Sequence, residues 1–437
     1  MVALMAACSG GSSESTFHNG GEAGKSSESS GGSADNGGQT NAGGTAGRGV
    51  GGNSQSGAAG SSSGGVSSGG RSSGGVSSGG RSSGGTSGSG SSDITAMDLV
   101  KDMKLGWNLG NTMDSTLTEA AGEETSWGNP VTTQAMMDKV KEAGFNTVRI
   151  PVTWAYHFGS APSYTIDGAW LDRVEAIANY VLSDGMYAIV NMHHEDSWVS
   201  LMPDADHATI TDEIAALWTQ IANRFKDYDD HLLFETLNEP RTTDRTEWTG
   251  GTPEARAVLN QYNAAAVDAI RATGGNNAQR FVMIPTHAAN ASTTCINDLV
   301  IPNDDPRIIV SLHTYYPNTF SMGTSLTDPA SISWGSAADQ TAMEEELDRI
   351  YDLLPAKGRA VIIGEWGSVN KNNTDARATH AGAYVAAVRV RGMLPIWWDN
   401  GGQGTTGDGF GLLDRENLTW AFQSIVTAMT DAAASRP

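Results

Sequence analysis

The sequence predicts an α/β protein: a single (β/α)8 barrel of the TIM type, preceded by a disordered Gly/Ser-rich linker. Three observations carry this. Along residues 93–437, short apolar runs alternate with amphipathic helical stretches, and eight strand–helix units can be counted. No Gly-x-Gly-x-x-Gly follows the first strand, which speaks against a doubly wound open sheet. Chemically distinctive side chains also recur at the carboxyl ends of the strands, where barrels build their sites.

In order, the strands are expected at Lys104–Gly110, Thr147–Pro151, Tyr187–His194, Leu232–Pro240, Phe281–His287, Arg307–Pro317, Ala360–Gly367 and Leu394–Gly401. Helical periodicity fills Thr132–Gly144, Ala169–Gly185, Ile210–Tyr228, Glu254–Gly274, Met343–Gly358 and Ala376–Gly392, with a last helix at Thr419–Ala433. Several of these stop at a glycine, the residue that most easily takes the left-handed conformation ending a helix. After the fifth strand only one turn is expected, near Cys295–Leu299.

The first 92 residues differ in kind. They hold 29 of the 54 glycines and 26 serines, with Phe17 as the one aromatic. Such a segment cannot bury enough apolar surface to offset its chain entropy. From Ser62 to Thr86 it repeats Ser-Ser-Gly-Gly-X, a tether rather than a packing repeat. At about 5–6 Å × √n, residues 9–92 would reach roughly 50 Å. Leu4-Met5-Ala6-Ala7-Cys8 resembles a bacterial lipoprotein processing site, with Cys8 as the acylated residue, although only seven residues precede it. The expected organisation is therefore a remnant signal or anchor at 1–8, a linker at 9–92 and a barrel domain at 93–437.

Composition excludes several classes. No run of 18 apolar residues could span a bilayer as a helix, and two cysteines cannot make a disulfide scaffold or a four-cysteine zinc site. In the first 92 residues four acids cancel four bases, so the net charge of −22 belongs entirely to residues 93–437. That argues against nucleic acid as a partner. The lone Cys295 reads as a small buried residue.

The strand ends suggest the chemistry. The second ends near Arg149, the third in His193-His194-Glu195, the fourth in Asn238-Glu239-Pro240. The sixth carries His313 and Tyr315, the seventh Glu365-Trp366 and the eighth Trp397-Trp398. Carboxylates on strands four and seven face across a barrel, the arrangement in which one acid protonates a glycosidic oxygen while the other attacks the anomeric carbon. Asn238 could bond the sugar 2-OH. Tyr315 and Arg149 are expected to keep Glu365 ionised, and burial to keep Glu239 protonated. The two adjacent histidines invite a metal reading, but neighbours on a strand point to opposite sides, so no metal site is assigned. Trp127, Trp154, Trp198, Trp248, Trp366, Trp397 and Trp398 fall in loops or at strand ends, where they could stack on sugar rings. Trp170, Trp218 and Trp420 fall within helices and read as core.

These residues bring a family to mind by their motifs. Gly106-Trp107-Asn108-Leu109-Gly110-Asn111, Val148-Arg149-Ile150-Pro151, Asn191-Met192-His193-His194, Leu237-Asn238-Glu239-Pro240-Arg241, His313-Thr314-Tyr315, Gly364-Glu365-Trp366-Gly367 and Trp397-Trp398-Asp399-Asn400 occur in this order. Together with Trp127-Gly128-Asn129-Pro130 they resemble glycoside hydrolase family 5, the retaining endo-β-glucanases, and most its subfamily 4. The resemblance spans about residues 97–430. It implies Glu239 as acid/base and Glu365 as nucleophile, with Arg149, His193, Asn238, His313, Tyr315 and a strand-eight tryptophan lining the −1 sugar site. Spacing favours Trp398 over Trp397, and His194 and Asn108 are second contributors. It implies no cofactor, and a β-glucan as partner. The same barrel serves xyloglucanases and xylanases, and a non-catalytic glycan-binding lipoprotein is the reading from a different class. The expected setting is extracellular or the bacterial cell surface, secreted or membrane-attached through acylated Cys8, as a monomer. Because β-glucans are neutral, the negative charge reflects solubility rather than substrate attraction.

Overall fold

A computed structural model describes residues 94–242 and 247–435. The expected anchor at Cys8 and the linker at 9–92 lie outside the described residues. Eight parallel strands close a barrel in sequence order: β1 (Gly106–Asn108), β2 (Thr147–Ile150), β3 (Tyr187–Asn191), β4 (Leu232–Glu235), β5 (Val282–Asn290), β6 (Ile308–His313), β7 (Val361–Trp366) and β8 (Leu394–Trp397). β8 pairs back onto β1 through Gly106↔Ile396 and Trp107↔Trp397. All eight predicted strands are present. Most are shorter than predicted, because their last residues leave the ladder to face the mouth of the barrel.

Alternation along each strand decides which of two cores a residue joins. Ile189, Leu233, Met283, Ile309, Ile362, Leu394 and Ile396 form one cluster inside the barrel. Their neighbours Ala188, Val190, Leu232, Phe234, Ile308, Val310, Val361 and Ile363 pack with the surrounding helices in the other. Following the inner row toward the carboxyl end, apolar residues give way to polar ones: Ile189 to Asn191, Leu233 to Glu235, Ile309 to Ser311 and His313. The lower half of the barrel is therefore a packed floor, and the upper half a polar layer.

The helix Ala96–Asp102 was not expected from the sequence. It is only seven residues long, too short for a period to show, but a Thr95–Asp98 capping box opens it. Leu99, Val100 and Met103 join the inner cluster, so this helix closes the bottom of the barrel. Arg389 donates to the Val100 and Lys101 carbonyls that its end leaves over. The turn expected near Cys295 is a helix, Thr293–Asp298, with Cys295 buried. The predicted helix at Thr419–Ala433 needs correction. Asp414 accepts from the Asn417 amide, and Leu418 turns at φ 53°, so Thr419–Trp420 pairs antiparallel with Leu413–Asp414. The helix begins at Gln423, and Trp420 stacks on Phe145 from this hairpin rather than from a helix. Trp170 and Trp218 lie in the core as expected. Gly144 and Gly185 end their helices at φ 108° and 67°.

Arg280, fully buried just before β5, ties the lower rim together. It donates to the carbonyls of Phe225, Tyr228, Asp229 and Leu232 and to Asn277 Oδ1, over distances of 2.6–3.1 Å. Its loss would leave several carbonyls without a donor. Arg280→Met is expected to cost about 3 kcal/mol or more, seen as a lower urea midpoint. An unchanged midpoint would mean that those carbonyls find other donors.

Candidate active site

Arg149 is the centre of the polar layer. Its side chain rises from β2 into the barrel, fully buried. Nε donates to Glu235 Oε2 at 2.7 Å, Nη1 to Glu365 Oε1 at 2.9 Å and to Asn108 Oδ1 at 3.0 Å, and Nη2 to Asn238 Oδ1 at 2.6 Å. Burial works against its charge, but Glu235 and Glu365 outweigh it and hold the guanidinium protonated. Asn108 is held in turn by the carbonyls of Gly364 and Trp397. One planar fork thus fixes residues from β1, β2, β4 and β7 against each other.

Glu365 and Glu239 are both buried, and a carboxylate oxygen of each lies within 4.8 Å of the other. Tyr315 donates its hydroxyl to Glu365 Oε2 at 3.0 Å. Burial and the nearby carboxylates push the tyrosine well above its usual range, so it stays a donor. His313 Nδ1 lies 2.7 Å from Glu239 Oε1 and 3.6 Å from Glu365 Oε2. His313 Nε2 has no hydrogen-bond partner among the described residues. It faces Gly364, where an added Cβ would come within 3.1 Å of it.

The expected split between the two acids is reversed in the free site. Burial pushes Glu365 up against the pull of His313 and Arg149. Burial also acts to raise Glu239, but the hydrogen bond and charge of His313 overcome it, and this carboxyl lies below its usual range. His313 itself is raised: burial opposes its charge, and Glu365 and Glu239 outweigh burial. The cause is the position of His313. His313 is thereby placed to hold or pass a proton one hydrogen bond from Glu239.

His193 is neutral, pushed well below its usual range by burial and then by His194 and Arg149. Asn191 Oδ1 accepts from the Val152 amide, so its Nδ2 faces Glu235 Oε2 and His193 Nδ1. The histidine proton therefore sits on Nε2, 4.0 Å from Glu365 Oε1.

An open cleft of about 640 Å³ lies over these groups, lined among others by His193, His194, Asn238, Tyr315 and Trp398. Trp398 stacks parallel to His193, with centroids 5.7 Å apart. Trp397 is instead fully buried, its Nε1 donating to the Phe410 carbonyl. Of the other tryptophans placed on this side, only Trp127 lines the cleft, 39% exposed. Trp154 and Trp366 belong to the core. Trp198 is held by Glu195, and Trp248 lies under the Arg241 guanidinium. Glu195, at the third strand end, is a structural acid. It accepts from the Trp154 amide and Trp198 Nε1, and burial pushes it up to about 7.

His193 and His194 do not point to opposite sides, because β3 has already ended at Asn191. Both imidazoles reach the cleft, edge to face at 4.5 Å. With Asp114 they bring possible ligand atoms within 4.8 Å of one another. Both Asp114 oxygens, however, already accept backbone amides from Asn111 and Thr112, and His193 Nδ1 accepts from Asn191. That leaves His194 as the one imidazole of the group without such a commitment. The residue that sequence reasoning missed is Glu235. Inside Leu-Leu-Phe-Glu it reads as part of an apolar strand, and only the period-two alternation from Leu233 hinted that it faces inward.

The cellulase (glycosyl hydrolase family 5) model matches residues 111–404. Endoglucanase B of Clostridium cellulovorans is 51% identical over 349 residues, 78% of this chain and 77% of that one. The cellulase/esterase CelE of Acetivibrio thermocellus is 50% identical over 79% of this chain, which spans only 41% of that longer protein. Among solved structures, a GH5-4 broad specificity endoglucanase from Ruminococcus champanellensis with bound cellotriose aligns at TM-score 0.74 and 45% identity, over 77% of this chain and 99% of that one. The barrel, the motifs at its strand ends and these matches together place this chain in glycoside hydrolase family 5, subfamily 4.

Proposed function

We propose that this protein hydrolyses internal β-1,4-glucosidic bonds of cellulose-type and mixed-linkage glucans by double displacement, with Glu365 as nucleophile and Glu239 as acid/base. One observation carries the reading. Two buried carboxylates lie within 4.8 Å at the floor of an open cleft, near the separation of about 5–5.5 Å that suits retention and short of the roughly 6.5–9.5 Å of inversion. Each has its own partners: Arg149 and Tyr315 on Glu365, His313 on Glu239.

In the first step a Glu365 oxygen bonds the anomeric carbon as the glycosidic C–O bond breaks, and Glu239 gives its proton to the leaving oxygen. Glu239 first receives that proton from His313 across their 2.7 Å contact. In the second step Glu239 takes a proton from water, which attacks the same carbon and frees Glu365. Asn238 Oδ1 is committed to Arg149, so its Nδ2 is directed to the sugar 2-OH. Trp398 and Trp127 offer faces to the apolar sides of sugar rings. A protein that only binds glycans would not need both acids so placed.

The domain reading extends this. The barrel acts outside the cytoplasm as a monomer, joined through the Gly/Ser-rich linker at residues 9–92 to an acylated Cys8 that attaches it to the cell surface. Among the described residues no helix is long and apolar enough to cross a membrane. Fractionation tests the anchor: an unmodified Cys8 on wholly soluble protein would contradict it.

Glu365→Ala should lower reducing-sugar release from carboxymethylcellulose by about 10³-fold or more, and Glu239→Ala by about 10²–10⁴-fold. The Glu239 loss should be far smaller on an aryl cellobioside whose leaving group needs no proton. Proton NMR should show the β-anomer as first product. An active Glu365→Ala, or an α-anomer, would sink the mechanism, and binding of glucan without any sugar release would favour the glycan-binding reading. A panel of β-glucan, xyloglucan, xylan and glucomannan then ranks the substrates.

The shared proton also makes a pH prediction. In the wild type it is held by a histidine raised above its usual range, so the alkaline limb of kcat/KM reports its loss there. In His313→Ala the proton must sit on Glu239 alone, a carboxyl. The alkaline limb should therefore move to lower pH, and an unmoved limb would dissociate His313 from the acid.

A further inference from the structure

Glu235 is as buried as any group in the barrel and takes part in neither step of the reaction. It lies on β4 four residues before Glu239, one inner row below the reacting carboxylates. Its oxygens collect three donors from three strands: Arg149 Nε at 2.7 Å and Asn191 Nδ2 at 2.9 Å on Oε2, and Ser311 Oγ at 2.6 Å on Oε1. A buried acid is costly without such partners. What sets this one apart is that its cation is shared. The guanidinium that pairs with Glu235 through Nε pairs with Glu365 through Nη1.

One positive charge thus lies between two buried negative ones. If Arg149 served Glu365 alone, it would stabilise that carboxylate fully, and a carboxylate so stabilised is a weak nucleophile. We propose that Glu235 is a positioning residue of the hydrolytic reaction, which fixes the Arg149 fork by its Nε edge and divides its charge so that Glu365 stays reactive. Ser311 and Asn191 set the share by how completely they cover Glu235. Asn191 also carries the effect to His193, since the same Nδ2 faces Glu235 and the His193 ring. The other groups that face Glu365 are His193 at 4.0 Å, His313 at 3.6 Å, the Tyr315 hydroxyl and the Glu239 carboxylate. None of these except Glu239 carries a fixed negative charge, and Glu239 is needed for proton transfer. That leaves Glu235 as the standing counter-charge.

The proposal rests on Glu365 as nucleophile, so the acid limb of kcat/KM is the readout. Two near-isosteric variants should move it in opposite directions. Glu235→Gln removes the competing charge, gives Arg149 wholly to Glu365 and should shift the limb down by about one pH unit, with a lower kcat. Ser311→Ala uncovers the Glu235 charge, draws Arg149 toward it and should shift the limb up. Profiles would be measured on an aryl cellobioside, with urea midpoints alongside. Loss of activity at every pH with both limbs unmoved would make Glu235 a structural acid only and overturn the proposal. If Glu235→Gln does not fold, Ser311→Ala decides by itself: an upward shift supports the proposal and an unmoved limb rejects it. An active Glu365→Ala would instead overturn the nucleophile assignment, which separates the two failures.

Discussion

The site depends on a single buried cation. From β2, Arg149 reaches partners of three other strands at once: Asn108 from β1, Glu235 and, just beyond the strand, Asn238 from β4, and Glu365 from β7. A guanidinium suits this because its donors leave in fixed directions within one plane. A lysine, with three donors, could neutralise one carboxylate but could not serve four oxygen partners at set angles. Closing the sheet into a barrel brings these strands within reach of one side chain. The fold and the fork therefore specify each other: slipping any one strand by a residue would turn its inner row outward and strand a buried charge.

Much of this was legible because barrel strands have a simple grammar. A run such as Tyr187-Ala-Ile-Val-Asn191 is buried on both faces, so an apolar stretch marks the strand and the first polar residues mark its functional end. Arg149, His193, Asn238, Glu239, His313, Tyr315 and Glu365 were all found this way, and the structure brings them together. The failures have physical causes too. Seven residues at Ala96–Asp102 show no period, and their helix exists because the barrel floor needs a plug. Thr419–Trp420 looks helical until Asp414 and Asn417 close the hairpin. His193 and His194 obey no strand alternation once the strand has ended. Trp154, Trp366 and Trp397 carry the same label as Trp398, but burial depends on which loop packs over each ring, and no local signal gives that. Glu235 hid inside an apolar run because its partners come from three other strands.

The acids' order was the deepest miss. Sequence reasoning assigned the proton to Glu239 from burial, the general rule for a carboxyl in a dry site. The geometry adds an imidazole at 2.7 Å, whose hydrogen bond and charge draw Glu239 below its usual range. This does not weaken the acid role. His313 is a neighbour that can take up the proton and return it, and its contact favours the ionised form of Glu239. His313 Nε2 is buried against Gly364 with no partner among the described residues, so a doubly protonated ring leaves one N–H unsatisfied, at a cost of about 1–3 kcal/mol. That cost favours release of the proton toward Glu239 once a sugar covers the site.

The reaction and the choice of substrate are built from different material. The reacting groups stand on β7 and just past β4 and are tied by ion pairs and hydrogen bonds that leave little room for change. Trp398 stands just past β8, on a turn organised by Asp399. That carboxylate accepts from Trp107 Nε1, from the amides of Gly401, Leu412 and Leu413, and from Arg415. Gly110 lies so close beneath that an added Cβ would meet the Trp398 ring at 2.8 Å. The Trp398 ring is thus as fixed as the acids. Farther out the cleft is lined by loop residues such as Leu117, Trp127 and Tyr156, which the Arg149 network does not reach. A change there reshapes the outer cleft and leaves the buried ion pairs of Arg149 in place. Loop substitution can therefore reshape the outer cleft while Glu239 and Glu365 keep the partners that hold them.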